Sequence, residues 1–425
     1  MQKNILDCLK ERGFVESVTS EELREAASKP LKVYVGFDPT AESLHLGNLV
    51  GIMGLAWFQR FGHTPYVVLG GATGRIGDPS GKSLERPLLD ETVLNQNIRS
   101  IRSWFEKVLH HHSPQPVFVD NYEWFSRFSL IDFLRDVGKH FRVGTMIAKE
   151  MVRNRLNSEE GISYTEFSYQ ILQAYDFHYL NLHHGVTVQM GGSDQWGNIT
   201  AGTELNRKLG GAQLFGLTFP LLTRSDGKKF GKSEGGAVWL SSDKLTPYQF
   251  FQYLYGIPDA DVIRLLKMLT FLPIEQIEAL GAQMQGSDYV PNSAQKLLAC
   301  EVTRFVHGEQ GLETALRVTE GMGPGAKATL NAEVLSELSK DMPNADLNKS
   351  EVVGQKYVDV AVKIGLLPSK GEASRLIKNG GAYLNNERVE DPSLVLSEEH
   401  LVDGMYLILS AGKKKRILLR IINSI

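Results

Sequence analysis

The sequence predicts an α/β fold: a Rossmann-like parallel sheet flanked by helices, then a small helical domain, then a C-terminal α+β domain. Three observations carry this. Strand-like and helix-like stretches alternate through the first half with glycine-rich joints, the pattern of a parallel sheet covered by helices. From about residue 246 to 321 glycine becomes sparse and the apolar spacing turns helical. Beyond residue 350, a basic helical segment, a glycine turn and a strand-like run follow one another. A chain of 425 residues also exceeds what one core usually organises. The boundaries that follow are 1–240 for the sheet domain, 241–322 for the helical domain, 323–349 for a linker and 350–425 for the last domain.

Taken in order, residues 1–16 form a charged amphipathic segment without the basic start and apolar middle of a secretory signal. Residues 31–36 read as a strand, 37–46 as a loop, 47–61 as an apolar helix and 66–70 as the next strand. That is a βαβ unit, whose ligands belong at the carboxyl ends of its strands. A helix is expected over 166–180, where Tyr169, Gln173 and Asp176 fall at i, i+4 and i+7 and so share one face. Such a face ordinarily meets water, but Phe167, Ile171, Leu172 and Phe177 surround this one, so it is read as lining a pocket. A later strand, 186–190, runs into Gly191-Gly192-Ser193-Asp194, a second loop at the same kind of edge, and two loops at one edge suggest one crevice. Phe250, Phe251, Leu254, Leu265, Leu266 and Leu269 mark the buried faces of the helical part. Gly and Pro near 321–325 and 341–344 mark the linker.

Composition removes several function classes. No apolar run is long enough to cross a bilayer, because charges or glycines interrupt each one. Cys8 and Cys300, far apart, propose neither a disulfide framework nor a paired-cysteine zinc site, which points to a reducing compartment. A net charge of -3 argues against a protein that coats nucleic acid, so any RNA must be met by local basic patches. The triplet His110-His111-His112 precedes Ser113-Pro114 with no carboxylate pattern to complete a metal site, and is read as a solvated loop.

Two distant motifs carry chemistry. Pro39-Thr40-Ala41-Glu42-Ser43-Leu44-His45-Leu46-Gly47-Asn48 sets a histidine and an asparagine three apart where a loop enters a helix. Backbone N–H groups and the helix dipole favour phosphate there, His45 and Asn48 add donors, and Gly47 permits close approach. Lys229-Phe230-Gly231-Lys232-Ser233, after Ser225-Asp226-Gly227, sets two lysines three apart in a glycine-flanked loop that can neutralise a triphosphate. Taken singly, each has a plain reading: a structural histidine, a solvated basic loop. Gly77-Asp78-Pro79-Ser80-Gly81-Lys82-Ser83 lacks the glycine spacing of a Walker loop, so a P-loop is rejected.

The pair resembles the HIGH and KMSKS signatures of class I aminoacyl-tRNA synthetases. Asn48 stands for the second histidine, keeping a donor without a positive charge, and Phe230-Gly231 stands for Met-Ser while both lysines remain. Tyr34 to Thr40, Gly70 to Gly74 with Asp78-Pro79-Ser80, Tyr169 to Asp176 and Gly191 to Gly197 then resemble, in order, the bacterial-type tyrosyl-tRNA synthetase family, and the likeness covers nearly the entire chain. It implies that Tyr34 and Asp176 meet a tyrosine phenol, that Tyr169, Gln173 and Asp78 hold its ammonium group, and that Gln195 serves tyrosine and the ribose and α-phosphate side. It assigns Gly36, Asp38, Thr40, Gly47, Gly192, Asp194, Lys232 and Ser233 to ATP, and charge stabilisation to His45, Asn48, Lys82, Arg86, Lys229 and Lys232. ATP with Mg2+ is the implied cosubstrate, with no tightly held protein metal. The last domain resembles the S4 RNA-binding type, with Lys370, Arg375 and Lys378 on its first helix and Lys413, Lys414, Lys415 and Arg416 as a second cluster for tRNA. The resemblance further implies a homodimer, with 130–156 contributing to the interface or the tRNA path, and a cytoplasmic location, or an organelle matrix if a transit peptide is missing. Two rivals stand beside it. The tryptophanyl family shares the fold, but Tyr34 with Asp176 and the S4-like tail favour tyrosine; a tRNA-binding relative without charging activity is opposed by intact His45, Lys229 and Lys232.

Overall fold

Chain hydrophobicity places most of the strands of the first unit inside a sheet covered on both faces. The computed structural model describes residues 4–80, 89–110, 112–225, 230–233, 236–321, 332–339, 342–412 and 415–422. They form two compact units, 1–245 with 253–306, and 246–252 with 307–425. In the first, strands β1 (Ser17–Val18), β2 (Lys32–Phe37), β3 (Thr64–Leu69), β4 (Val117–Asp120), β5 (Val188–Gly192) and β6 (Phe215–Phe219) lie in the order β1-β6-β5-β2-β3-β4. All pair in parallel except β1 against β6. β5 and β6 are buried along their whole length and β3 beyond its first residue, as helix-covered parallel strands should be. A short antiparallel pair, β7 (Lys232–Ser233) and β8 (Gly236–Ala237), belongs to the same unit.

The chain lays β2, β3 and β4 outward on one side, then returns to set β5 and β6 on the other. The order therefore reverses between β2 and β5, and such a switch point leaves a crevice at the carboxyl ends of the strands. The expected helix over 47–61 is entered through a 3-10 turn, Leu46–Asn48, and runs as Leu49–Arg60 with every residue from Leu49 to Gln59 buried. Gly54 permits this depth, since a Cβ there would lie 3.0 Å from Met190 and 3.1 Å from Phe14. The helix expected over 166–180 is longer, Tyr164–His184: the Ser163 hydroxyl caps its start by accepting the Glu166 N–H, and Gly185, at φ 67°, ends it. Gly191 and Gly192, expected in a loop, are the end of β5, because they pair with Thr218 and Phe219 of β6.

Helices Pro247–Tyr255, Asp259–Leu269, Ile274–Gln283 and Ser293–Gly321, the last broken at Gly308, make up the helical part. In the second unit β9 (Asn344–Asn348), β10 (Ala382–Leu384), β11 (Glu387–Arg388), β12 (Tyr406–Ala411) and β13 (Lys415–Ile422) lie in the order β11-β10-β12-β13-β9. Only β13 and β9 pair in parallel, and β9 falls inside the stretch read as a linker. Alternation along β12 and β13 feeds two cores. Leu407, Leu409, Ile417 and Leu419 pack with Tyr357, Val360, Ala373 and Ile377, whereas Tyr406, Ile408 and Leu418 pack with Val318, Leu335 and Met342. Among the described residues no helix is long and apolar enough to cross a membrane.

Candidate active site

Each carboxyl strand end at the switch point delivers polar side chains. The helix Tyr164–His184 presents Asp176 to the crevice, only 4% exposed. Its Oδ1 accepts the Trp124 indole N–H at 2.8 Å, and its Oδ2 accepts the Asn121 amide at 3.0 Å. Asn121 directly follows β4 and also donates to Thr73 Oγ1 at 2.9 Å, while Thr73 donates to Asp38 Oδ1 at 2.7 Å. The other oxygen of Asp38 accepts the Tyr169 hydroxyl at 2.9 Å. One network thus joins the ends of β2, β3 and β4 to two turns of one helix. Burial pushes the Asp176 carboxyl up to about 8, against the opposing pull of the Asn121 and Trp124 hydrogen bonds. Beside it the Tyr34 hydroxyl is held well above its usual range by burial and by the charge of Asp176. Tyr34 is 1% exposed, and its hydroxyl has no hydrogen-bond partner among the described residues. A buried polar atom left unpaired costs free energy, so this one marks a place for a ligand's polar group.

A second cluster is built on Asp78. Its Oδ1 accepts the Ser80 N–H at 2.9 Å and the Ser80 hydroxyl at 2.6 Å, and its Oδ2 accepts the Gln195 amide at 2.8 Å. Asn198 steadies Gln195 by donating to its Oε1 at 3.2 Å. The Asp194 carboxyl is raised first by burial and then by the charge of Asp78. Tyr169 spends its proton on Asp38 and keeps a lone pair for a donor, and its own ionisation is pushed well above the usual range by burial first, then by Asp38, Asp78 and Asp176. Gln173 stands half-buried one turn on from Tyr169. Acceptors concentrated in this way suit an ammonium group.

On the phosphate side the turn Leu46–Asn48 is closed by its own motif. His45 Nδ1 accepts the Gly47 N–H at 3.1 Å, and Asn48 Oδ1 accepts the His45 N–H at 3.0 Å. The acceptor atoms being so occupied, a neutral His45 carries its proton on Nε2 and Asn48 keeps its amide hydrogens as donors. His45 and Gly47 are exposed and Asn48 half-buried. Gly36 and Thr40 are exposed at the end of β2 and just after it, and the Thr40 N–H donates to the Asp38 carbonyl at 2.8 Å. Gly192 ends β5 beneath the Asp194 carboxylate, where a Cβ would lie 2.5 Å from its Oδ1. Lys232, exposed, and Ser233 form β7. Lys82, Arg86 and Lys229 lie outside the described residues.

Sequence reasoning missed Asn121 and Trp124, and gave Thr73, Ser80 and Asn198 no role. A signal existed in the short run Val117–Asp120 before a polar residue, the mark of a further parallel strand with a site residue at its end. In the second unit Arg375 and Lys378 are exposed on the helix Lys370–Lys378, whereas Lys370 pairs with Asp359 at 2.8 Å. Lys415 is exposed, Arg416 is half-buried with its charge disfavoured by burial, and Lys413 and Lys414 lie outside the described residues. Short helices within 130–156 leave Leu130 72% and Ile131 69% exposed.

Known families decide the relationship. The family described as tRNA synthetases class I (W and Y) matches residues 26–322, and the tyrosine–tRNA ligase SYY-like C-terminal domain matches 334–419. A tyrosine–tRNA ligase of Protochlamydia amoebophila is 54% identical over 420 residues, 98% of this chain and 99% of that protein. The chain belongs to the tyrosine–tRNA ligases. The chloroplastic/mitochondrial tyrosine–tRNA ligase of Arabidopsis thaliana is likewise 54% identical, over 98% of this chain and 84% of its own length. Among solved structures, a C-terminally truncated mitochondrial tyrosyl-tRNA synthetase of Aspergillus nidulans matches with a TM-score of 0.65 and 31% identity, covering 74% of this chain and 92% of that one. Tyrosine–tRNA ligases thus match across both parts of the chain, and the tryptophanyl alternative is not favoured.

Proposed function

We propose that this tyrosine–tRNA ligase uses the crevice between β2 and β5 to join L-tyrosine to ATP, giving tyrosyl-adenylate and pyrophosphate, and then passes tyrosine to the 3' end of tRNA(Tyr). The observation that carries the reading is the buried, unpartnered Tyr34 hydroxyl beside the Asp176 carboxyl, a floor that a phenolic O–H completes and a bare phenyl ring does not. Tyr169, Gln173 and Asp78, with Gln195 holding Asp78, receive the ammonium group. The tyrosine carboxylate then attacks the α-phosphorus in line, and no protein nucleophile is needed. His45 and Asn48, with the lysines and arginine at 82, 86, 229 and 232, stabilise charge as the phosphates separate, and Gly36, Asp38, Thr40, Gly47, Gly192, Asp194 and Ser233 shape the nucleotide site. ATP enters with Mg2+ as part of the substrate.

Catalytic, anticodon-side, linking and RNA-binding roles go to the segments read as 1–240, 241–322, 323–349 and 350–425, the last extended back to β9 at Asn344, with Arg375, Lys378 and Lys415 as the described cations meeting tRNA and Lys370, Lys413 and Lys414 beside them. The enzyme acts as a homodimer in the cytoplasm, the exposed Leu130 and Ile131 supporting an apolar interface. The test is ATP–pyrophosphate exchange with tyrosine, phenylalanine and tryptophan, run beside Lys232→Ala. Exchange with tyrosine alone, much reduced in the variant, is the expected result; no exchange with any amino acid refutes the reading.

A further inference from the structure

The lysine motif departs from its family signature at Phe230-Gly231, and the contacts of these two residues lead to a side chain with no role so far. The Gly231 N–H donates to the Tyr253 hydroxyl oxygen at 2.9 Å, and its carbonyl accepts the Val238 N–H at 2.9 Å. Both backbone polar groups immediately before Lys232 are therefore fixed. Gly231 sits at φ +79°, where a side chain is strained, and a Cβ on it would lie 3.1 Å from the Gly47 nitrogen. Phe230, 7% exposed, sets its ring edge-on to Tyr253 at 6.2 Å. The same stretch is sewn to the histidine turn: the Leu46 N–H donates to the Val238 carbonyl at 2.8 Å, the Leu240 N–H to the Leu44 carbonyl at 2.9 Å, and His45 bridges Trp239. Tyr253 comes from the helix Pro247–Tyr255 and lies in the same compact unit as both motifs.

We propose that Tyr253 is a positioning residue for Lys232: its ring seats Phe230 and its hydroxyl holds Gly231, which sets the lysine's backbone against the turn carrying His45 and Gly47. This rests on the functional reading above. Glycine is required by the positive φ and by the approach to Gly47, and phenylalanine by the aromatic seat, which accounts for the departure from Met-Ser. The role is one of geometry. Tyr253 shares a proton with no substrate atom in this scheme, and tyrosine binding, built on the far carboxylate network, does not depend on it.

Tyr253→Phe in the full chain keeps the ring and removes only the acceptor of the Gly231 N–H. A neutral hydrogen bond of ordinary net worth corresponds to a change of roughly three- to tenfold. The expected result is a loss of that size in kcat/KM for ATP in pyrophosphate exchange, with KM for tyrosine and the melting temperature unchanged. Tyr253→Leu, lacking the ring as well, loses more along the same coordinate. Hydrogen–deuterium exchange of the peptide spanning 230–240 reads the contact directly, and it speeds up in Tyr253→Phe whether or not the chain turns over. Unchanged amide exchange, unchanged ATP kinetics, or tyrosine and ATP parameters worsening together each overturns the inference. A wild-type chain without exchange activity, its amide protection at Gly231 still depending on Tyr253, refutes the functional reading and not the contact.

Discussion

Replacing Trp124 by Phe removes an indole N–H, with part of the ring, from the floor of the proposed tyrosine pocket. The ring that stacks on Tyr179, with centroids 4.4 Å apart and planes 19° apart, is kept in part. What goes is the indole N–H on Asp176 Oδ1 at 2.8 Å, a buried bond to a carboxyl that burial pushes up to about 8. Leaving a buried acceptor without its partner costs about 1–3 kcal/mol, which converts to roughly five- to 150-fold in an equilibrium constant. Asn121 still holds Oδ2, so the carboxyl stays in place with one lone pair unmet. KM for tyrosine should therefore rise by about fivefold or more while KM for ATP stays where it was. Preference for tyrosine over phenylalanine should fall as well. The lost bond was one of the two pulling the carboxyl toward ionisation, so without it the carboxyl stays neutral to a still higher pH, and a neutral carboxyl facing a bare ring costs less than a charged one. Steady-state exchange kinetics with both amino acids, on protein shown to be folded at the assay temperature, measure this. A tyrosine KM within twofold of wild type, or an equal rise for ATP, would show that the Asp176 network does not read the phenol.

Three further outcomes follow from the same contacts. Native Asp176 holds its proton to about pH 8, whereas an unfolded carboxyl releases it near pH 4, so this group makes stability fall as pH rises between them; Asp176→Asn should flatten that part of the profile when denaturant midpoints at about pH 5 and about pH 8 are compared. Arg155 and Glu166 form a buried ion pair at 2.5 Å with side chains 4% and 1% exposed, so Arg155→Met, which strands the carboxylate, should cost about 3–5 kcal/mol by urea unfolding, and adding Glu166→Gln should recover much of it. Arg375→Glu together with Lys378→Glu should weaken tRNA binding in a filter assay and reduce the log–log salt slope by about 2, leaving tyrosine-dependent exchange intact.

The parts of this site that were legible in the sequence are those whose geometry is local. His45 and Asn48 share one turn, and Tyr169, Gln173 and Asp176 share one helix face, so spacing alone placed them. What holds them in place was not legible, because it is assembled across the sheet. Asp38 receives Tyr169 from 131 positions away, and Asn121 reaches Asp176 from 55 away. Those contacts exist only once β2 and β4 take their places around β3, and no periodicity in the chain announces that. The edge of the last sheet was hidden for another reason. Asn344–Asn348 is a polar run, with no residue of the strand fully buried, and it becomes a strand through its hydrogen bonds to β13 rather than through its side chains.

That polar strand has a consequence for how the chain can be divided. β13 runs for eight residues, with Ile417, Leu418, Leu419 and Ile421 buried, and β9 occupies its outer side through five paired residues reinforced by Asp346 accepting both arms of Arg420. A fragment begun at residue 350, where composition invites a cut, would strip that cover and leave a long apolar strand with unpaired N–H and C=O groups. Such an edge recruits any extended partner, a second copy of itself first of all, and the fragment would precipitate for a reason unrelated to RNA. One begun before Asn344 carries its own guard.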